Sequence, residues 1–269
     1  AGRLLTIRLM GNSAFANLHD DFGKIQIYIQ KKQVGEDTYR LFNILDLGDI
    51  VGVEGSIFKT KTGELTINVN NIILLAKSLR PLPEKFHGIA DIEIKYRQRY
   101  LDLITDPSSK DVFIKRSKII NQIREYFIKY DYMEVETPMM HQIPGGANAK
   151  PFITHHNSLD VDLYLRIAPE LFLKRCIIGG FEKVFEINRS FRNEGLSIKH
   201  NPEFTMIEFY AAYQDFTYLM TFIENLFKSL MKSLEINEAI EYQGHKFRLK
   251  EKFIRKTFHQ SIIDEVSDI

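Results

Sequence analysis

The sequence predicts an α+β chain: a small N-terminal β-barrel, then an antiparallel β-sheet domain with flanking helices. Three observations carry this. Up to about residue 75, short alternating runs are separated by turn residues. Around residues 183–187 and 204–210, two alternating runs flank a turn marked by Gly195 and Asn201-Pro202. Residues 109–130 and 216–234 instead carry apolar stripes of helical period.

The elements follow in order. Gly2-Arg3-Leu4-Leu5-Thr6-Ile7 already reads as a strand, so residues are expected to precede it in the native gene. Residues 24–30 alternate strictly. Residues 50–58 follow an Asp46-Leu47-Gly48-Asp49 turn, and Lys61-Thr62-Gly63-Glu64 reads as a hairpin turn before 65–69. Strands of this length and spacing make a barrel of residues 1–75. An OB-type barrel, which binds single-stranded nucleic acid on one face, fits; an SH3-like barrel reads the same way. Residues 76–110 form a connector. Pro81 and Pro83 exclude a helix there, and residues 95–100 interleave cations with tyrosines, either as a nucleic-acid-facing hinge or as a charged packed helix. The remaining 111–269 form the sheet domain. Its first helix, 109–130, carries Ile119, Ile120, Ile123 and Phe127 on one stripe, with Asp111 placed to suit the helix dipole. A strand 133–137 ends at Pro138. Alternation returns at 163–167, 170–178 reads as helix, and 216–234 as an amphipathic helix with Leu219, Phe222, Ile223, Leu226 and Phe227.

Composition sets bounds. The 269 residues suffice for two domains with real cores. With 36 basic and 35 acidic residues the net charge is +1, so any nucleic-acid contact must come from local patches. The single cysteine, Cys176, excludes an internal disulfide and points to a reducing, cytoplasmic setting. No run approaches the ~18 apolar residues of a membrane span, and no signal-peptide pattern is visible. His155-His156 is a poor metal pair, because the ligands are adjacent and Cys176 is distant.

The most informative stretch is Phe191-Arg192-Asn193-Glu194 followed by His200-Asn201-Pro202-Glu203-Phe204. A nucleotide needs such a set: a planar cation whose fork matches phosphate oxygens, a second cation for the outer phosphates, and an aromatic face for the base. Arg192 could equally be a strand-end ion pair with Glu194 or Glu186, and Phe204 ordinary core.

This stretch resembles motif 2 of the class II aminoacyl-tRNA synthetases. Further blocks narrow the resemblance to the bacterial-type lysyl-tRNA synthetases: Leu79-Arg80-Pro81-Leu82-Pro83 with Lys85-Phe86-His87-Gly88, then 97–103, 134–138, Pro144-Gly145-Gly146-Ala147, 151–157 and 163–171. It holds almost end to end through residue 215 and is weak from about 235. The resemblance implies lysine–tRNA ligase activity: ATP and lysine give lysyl-adenylate and pyrophosphate, and the lysyl group passes to tRNA(Lys). It assigns ATP contacts to Arg192, Glu194, His200, Asn201 and Phe204, with Arg192 stabilising charge at the α-phosphorus. It assigns lysine contacts to Gly146, Glu170, Glu208 and Tyr210. Two carboxylates in one pocket repel unless a cation separates them, and lysine brings two ammonium groups. Arg8, Phe15 and Gln26 take anticodon-reading positions, Phe15 by stacking and the others by hydrogen bonds to base edges. The helix and strand of 111–138 resemble motif 1, which implies a homodimer. Magnesium is expected with ATP, with no metal ligand assigned within these residues.

The family's third motif, glycine-rich with a terminal arginine, has no counterpart after Leu234. The chain is therefore expected to be part of a longer enzyme and to be inactive, or nearly so, by itself. Two rivals are an aspartyl- or asparaginyl-type relative, whose pocket needs a cation where Glu170 and Glu208 stand, and a synthetase-like regulatory protein without full catalysis.

Overall fold

The computed structural model describes residues 1–83, 89, 91–195, 197, 199–236, 239–249 and 251–266. The block Lys85-Phe86-His87-Gly88 lies outside them. The chain divides into two compact units, 1–111 and 112–269.

The first unit holds five strands, β1 (Gly2–Met10), β2 (Ser13–His19), β3 (Lys24–Gln30), β4 (Ile50–Lys59) and β5 (Leu65–Ala76). They close into a barrel of order β1-β2-β3-β5-β4. All pairs are antiparallel except β3 with β5, and β4 returns to β1 through Gly2↔Val51. That single parallel pair and closure settle the barrel type left open by pattern alone: it is an OB-type order. Alternation puts Leu4, Ala14, Ala16, Leu18, Ile27, Ile29, Val51 and Val69 inside. Two helices absent from the sequence reading, α1 (Lys31–Val34) and α2 (Glu36–Asn43), follow β3, and α2 adds Tyr39 and Phe42 to the barrel core. Both are too short to show a clear period. Gly55 sits at the β4–β5 bulge, where a Cβ would stand 2.1 Å from the carbonyl oxygen of Asn68, so no larger residue fits.

The connector has no helix at the two prolines; its basic–tyrosine stretch forms α3 (Ile92–Arg97) and α4 (Arg99–Thr105). Within them Arg99 lies over the Tyr96 ring at 4.8 Å and pairs with the buried Asp102 at 2.6 Å. Helix α5 (Pro107–Lys129) starts two residues before the expected position, because proline is well suited to the first helical turn. Asp111 consequently lies beyond the first turn, which holds no acidic residue. The dipole reading for Asp111 is corrected: Asp106 serves the helix start instead, its carboxylate accepting from the Ser108 N–H at 3.0 Å.

In the second unit the expected strand 133–137 contracts to β6 (Met133–Glu134), because Pro138 and the turn toward β7 (Met140–His141) end its pairing. Then come β8 (Ile153–His156), β9 (Val161–Leu165), α6 (Glu170–Ile178), β10 (Lys183–Phe191), β11 (Glu203–Ala211), α7 (Phe216–Ser233), the hairpin β12 (Ile240–Tyr242) and β13 (His245–Phe247), and α8 (Phe258–Val266). The sheets run β11-β10-β6 and β7-β9-β8.

The β10–β11 hairpin organises this unit. Its register pairs Phe185↔Phe209, Glu186↔Glu208, Ile187↔Ile207 and Ser190↔Phe204. With a side-chain period of two, one face carries Phe185, Ile187, Ile207 and Phe209. This face packs on Ile123, Tyr126 and Phe127 of α5 and Phe222 and Leu226 of α7. Phe127 is fully buried, stacked on Phe185 at 4.9 Å and edge-on to Phe209 and Phe222 at 4.9 and 5.1 Å. The opposite face is left with Glu186, Ser190, Phe204, Met206, Glu208 and Tyr210.

Candidate functional site

Arg192 follows the last residue of β10. Its N–H donates to the Pro202 carbonyl at 2.8 Å, which closes the hairpin and directs the side chain to the polar face. The guanidinium lies over the Phe204 ring, 5.1 Å from its centroid. Its buried Nε has no hydrogen-bond partner among the described residues, a donor that a bound anion would satisfy. Phe204 is thus half-buried beside a cation and is not part of the aromatic core. The next residues are fixed from a separate segment: the Asn193 N–H donates to the Lys150 carbonyl at 2.7 Å, and the Lys150 N–H donates to Glu194 at 3.3 Å. At the hairpin tip, Ser197 and His200 exchange backbone hydrogen bonds, and the Ser197 hydroxyl meets His200 Nδ1 at 2.8 Å. Arg192, Glu194, Gly195, Lys199, His200, Asn201, Pro202 and Phe204 line one cavity of about 240 Å³. All five predicted nucleotide residues share it. Lys199, a further cation on its wall, was not singled out from sequence.

Along the same face lie the other predicted residues. Helix α6 packs on β11 and brings Glu170 toward Glu208. Gly146 has φ +87°, and a Cβ there would stand 2.9 Å from Glu170 Cβ. Glycine is therefore required both by conformation and by the approach of α6. The Tyr210 hydroxyl donates to Glu208 at 2.6 Å, and Lys174 reaches Glu170 at 2.5 Å. Burial first, then the negative charges of Glu170 and Glu186, push the Glu208 carboxyl above its ordinary range; the Tyr210 hydrogen bond and Lys174 oppose this. Burial and the neighbouring Glu208 also raise the Tyr210 hydroxyl. Glu170, Glu186 and Glu208 outnumber Arg166 and Lys174 here, and this excess of negative charge at half-buried groups favours a cationic guest.

Sequence reasoning missed the support behind this pocket. Glu186, considered as a partner for Arg192, instead pairs with Arg166 at 2.6 Å, and both are buried. The Thr137 hydroxyl donates to Glu186 at 2.6 Å. An arginine inside the apolar run 163–168 was the available signal. His155 is held by Asp162 at 3.0 Å and Asp160 at 3.4 Å. Among the described residues no three histidine, cysteine or acidic side chains group to hold a metal.

In the barrel, Arg8 and Phe15 are register partners on β1 and β2, and Asn17 pairs with Gln26 on β3. Arg8, Phe15 and Gln26 line one groove of about 390 Å³. Phe15 is not barrel core: Ala14 and Ala16 take the inward positions, and Phe15 stacks outside on Tyr28 at 4.6 Å. Gln26 accepts from the Thr66 hydroxyl at 2.8 Å. Tyr28 was not predicted; its position two residues from Gln26 on an alternating strand would have indicated it.

A closed OB-type barrel and a hairpin whose cavity holds an arginine over a phenylalanine ring define a class of protein, and the comparisons agree. Residues 91–268 match the family described as tRNA synthetases class II (D, K and N), and residues 1–75 match the OB-fold nucleic acid binding domain. The chain belongs to the class II tRNA synthetases of this D, K and N group. It is similar to proteins named lysine–tRNA ligase: 57% identical over 263 residues to that of Nitrosomonas europaea, covering 98% of this chain and 52% of the relative. Those of Methylobacillus flagellatus (56% over 257 residues; 96% and 50%) and Azoarcus sp. strain BH72 (56% over 262 residues; 97% and 52%) are alike. The chain spans about half the length of the curated relatives it matches.

Proposed function

We propose that this chain supplies the anticodon barrel and the ATP- and lysine-facing half of a lysine–tRNA ligase. One observation carries the reading: the polar face of the β10–β11 hairpin has Arg192 and Phe204 at one end and Glu208 and Tyr210 at the other, with Glu170 of α6 beside Glu208. Phe204 and Glu208 are four residues apart on β11, or ~13 Å at the rise of a strand, a span suited to a lysyl-adenylate. Lysine binds with its side-chain ammonium among the carboxylates. Arg192 holds the α-phosphate and stabilises the charge that develops as the lysine carboxylate attacks, a catalysis by positioning and electrostatics. Phe204 stacks on adenine, Glu194 accepts from its amino group, and His200 and Asn201 meet the outer phosphates. A neutral isostere of lysine leaves a buried carboxylate unpaired, which supports discrimination of roughly 10⁴ or more. An aspartyl- or asparaginyl-type pocket would need a cation in place of Glu170 and Glu208.

The reading divides the chain into a barrel of 1–75, a connector of 76–110 and a catalytic region from 111. Arg8, Phe15 and Gln26 read the tRNA(Lys) anticodon, and the 111–138 segment joins two copies. Magnesium is expected to arrive on the ATP phosphates, which supply most of its ligation together with one or two carboxylates. No described helix is long and apolar enough to cross a membrane, and the cytoplasmic assignment rests on the reaction.

Lysine-dependent pyrophosphate exchange by the full-length gene product is the test. Arg192→Ala should lower it by more than about tenfold, the equivalent of ~1.4 kcal/mol of transition-state stabilisation. A smaller loss removes Arg192 from its role. Residues 1–269 alone, which contain no counterpart of the third motif, should exchange at background.

A further inference from the structure

Among the described residues Arg166 is the only fully buried arginine or lysine. It is bonded on every side but one. Nη1 donates to Glu186 at 2.6 Å and to the Thr137 hydroxyl at 3.1 Å. Nε donates to the Arg189 carbonyl at 2.8 Å. Its own N–H donates to the Met139 carbonyl at 2.8 Å, and its carbonyl accepts from the Phe191 N–H at 2.8 Å. Arg189 and Phe191 are thus both tied to Arg166, through its side chain and its main chain respectively, and Arg192 is the next residue. At the other end of its reach, Glu186 stands directly opposite Glu208 in the β10–β11 register.

Stability is a poor explanation for this pair. Taking two charges out of water largely offsets their attraction, and apolar pairs of similar shape are often as stable or more so. The geometry points to a different role: Arg166 is a positioning residue for lysine activation, holding the Arg192 end and the Glu208 end of the polar face in one frame. It touches neither substrate in this role. It acts through the backbone of 189–191 and through the carboxylate behind Glu208. The inference rests on the lysine reading above.

The test is a double substitution, Arg166→Met with Glu186→Leu, in the full-length gene product. Replacing both charges removes the frame without stranding a buried ion, so the variant should melt within a few degrees of the parent. Its kcat for lysine-dependent pyrophosphate exchange should nevertheless fall about tenfold or more, since displacements near 1 Å at reacting groups cost up to ~10²-fold. Its KM for lysine should rise. A purely structural pair predicts the same melting but a kcat within about threefold of the parent, and that result overturns the inference. Should the double variant fail to fold, Arg166→Lys keeps a cation beside Glu186 but cannot also hold the Arg189 carbonyl. A drop of about tenfold in its kcat supports the frame, and parental kcat and KM overturn it. Absence of lysine-dependent exchange in the unsubstituted protein fails the lysine reading itself, and this inference with it.

Discussion

At Glu208 the fold and the proposed lysine make opposite demands. Burial and the charges of Glu170 and Glu186 raise its carboxyl above the ordinary glutamate range, against Tyr210 and Lys174. A carboxyl whose folded value exceeds its unfolded value binds more protons in the native state. Stability therefore falls as pH rises through the raised value, because ionising the side chain costs more in the folded protein than in the unfolded chain. Glu208→Gln should melt higher than the parent at pH 7, with the difference shrinking at acid pH; a lower melting temperature at pH 7 contradicts the raised carboxyl. Ionised Glu208 is also what a lysine ammonium needs. In the parent, the KM for lysine should rise as pH falls through a value above the usual glutamate range, and Glu208→Gln should lose that dependence. Gly146 shows the same coupling of fold to site. Its positive φ and the 2.9 Å approach of Glu170 Cβ mean that the pocket wall exists only because no side chain occupies that position.

The β10–β11 hairpin does two jobs because its faces are chemically unlike. Its period of two was legible, and so was the contrast between Ile207 and Phe209 on one side and Glu208 and Tyr210 on the other. Its partners on the apolar side were legible only as separate stripes on α5 and α7. Phe127 joins them, touching Phe185, Phe209 and Phe222. Phe127→Ala should cost about 3–5 kcal/mol in a urea melt, since a fully buried ring leaves a cavity the sheet and two helices cannot close. A loss below about 1 kcal/mol would mean that the helices repack freely on this face. The polar side was less legible. Arg166 and Glu186 lie 20 residues apart and share no periodic relation, so pattern could not pair them.

At the scale of the molecule, two compact units carry separate halves of the proposed task. The barrel encloses its own core of Leu4, Ile27, Ile29, Val51 and Val69, and presents Phe15, Arg8 and Gln26 outside. The second unit encloses Phe127 and keeps Arg192 and Glu208 half-buried on the other face of its hairpin. Pyrophosphate exchange, the reversal of adenylate formation, involves no tRNA. Phe15→Ala in the full-length gene product should therefore leave tRNA-free exchange unchanged and weaken tRNA binding about tenfold, since a base–aromatic stack is worth ~1–3 kcal/mol. Unchanged tRNA affinity would withdraw Phe15 from anticodon recognition.

Local rules acting on the sequence alone determined where most strands and longer helices fall, which side of each is apolar, and which short motif is a candidate for phosphate chemistry. These depend on neighbours a few residues away. Tertiary structure decided the rest. The parallel β3–β5 pair settled the barrel order, α2 joined the barrel core, Arg192 was left without Glu186, and Arg166 took it. Each is a contact between residues distant in the chain, where burial of charge and the shape of the core select a partner that no periodicity marks.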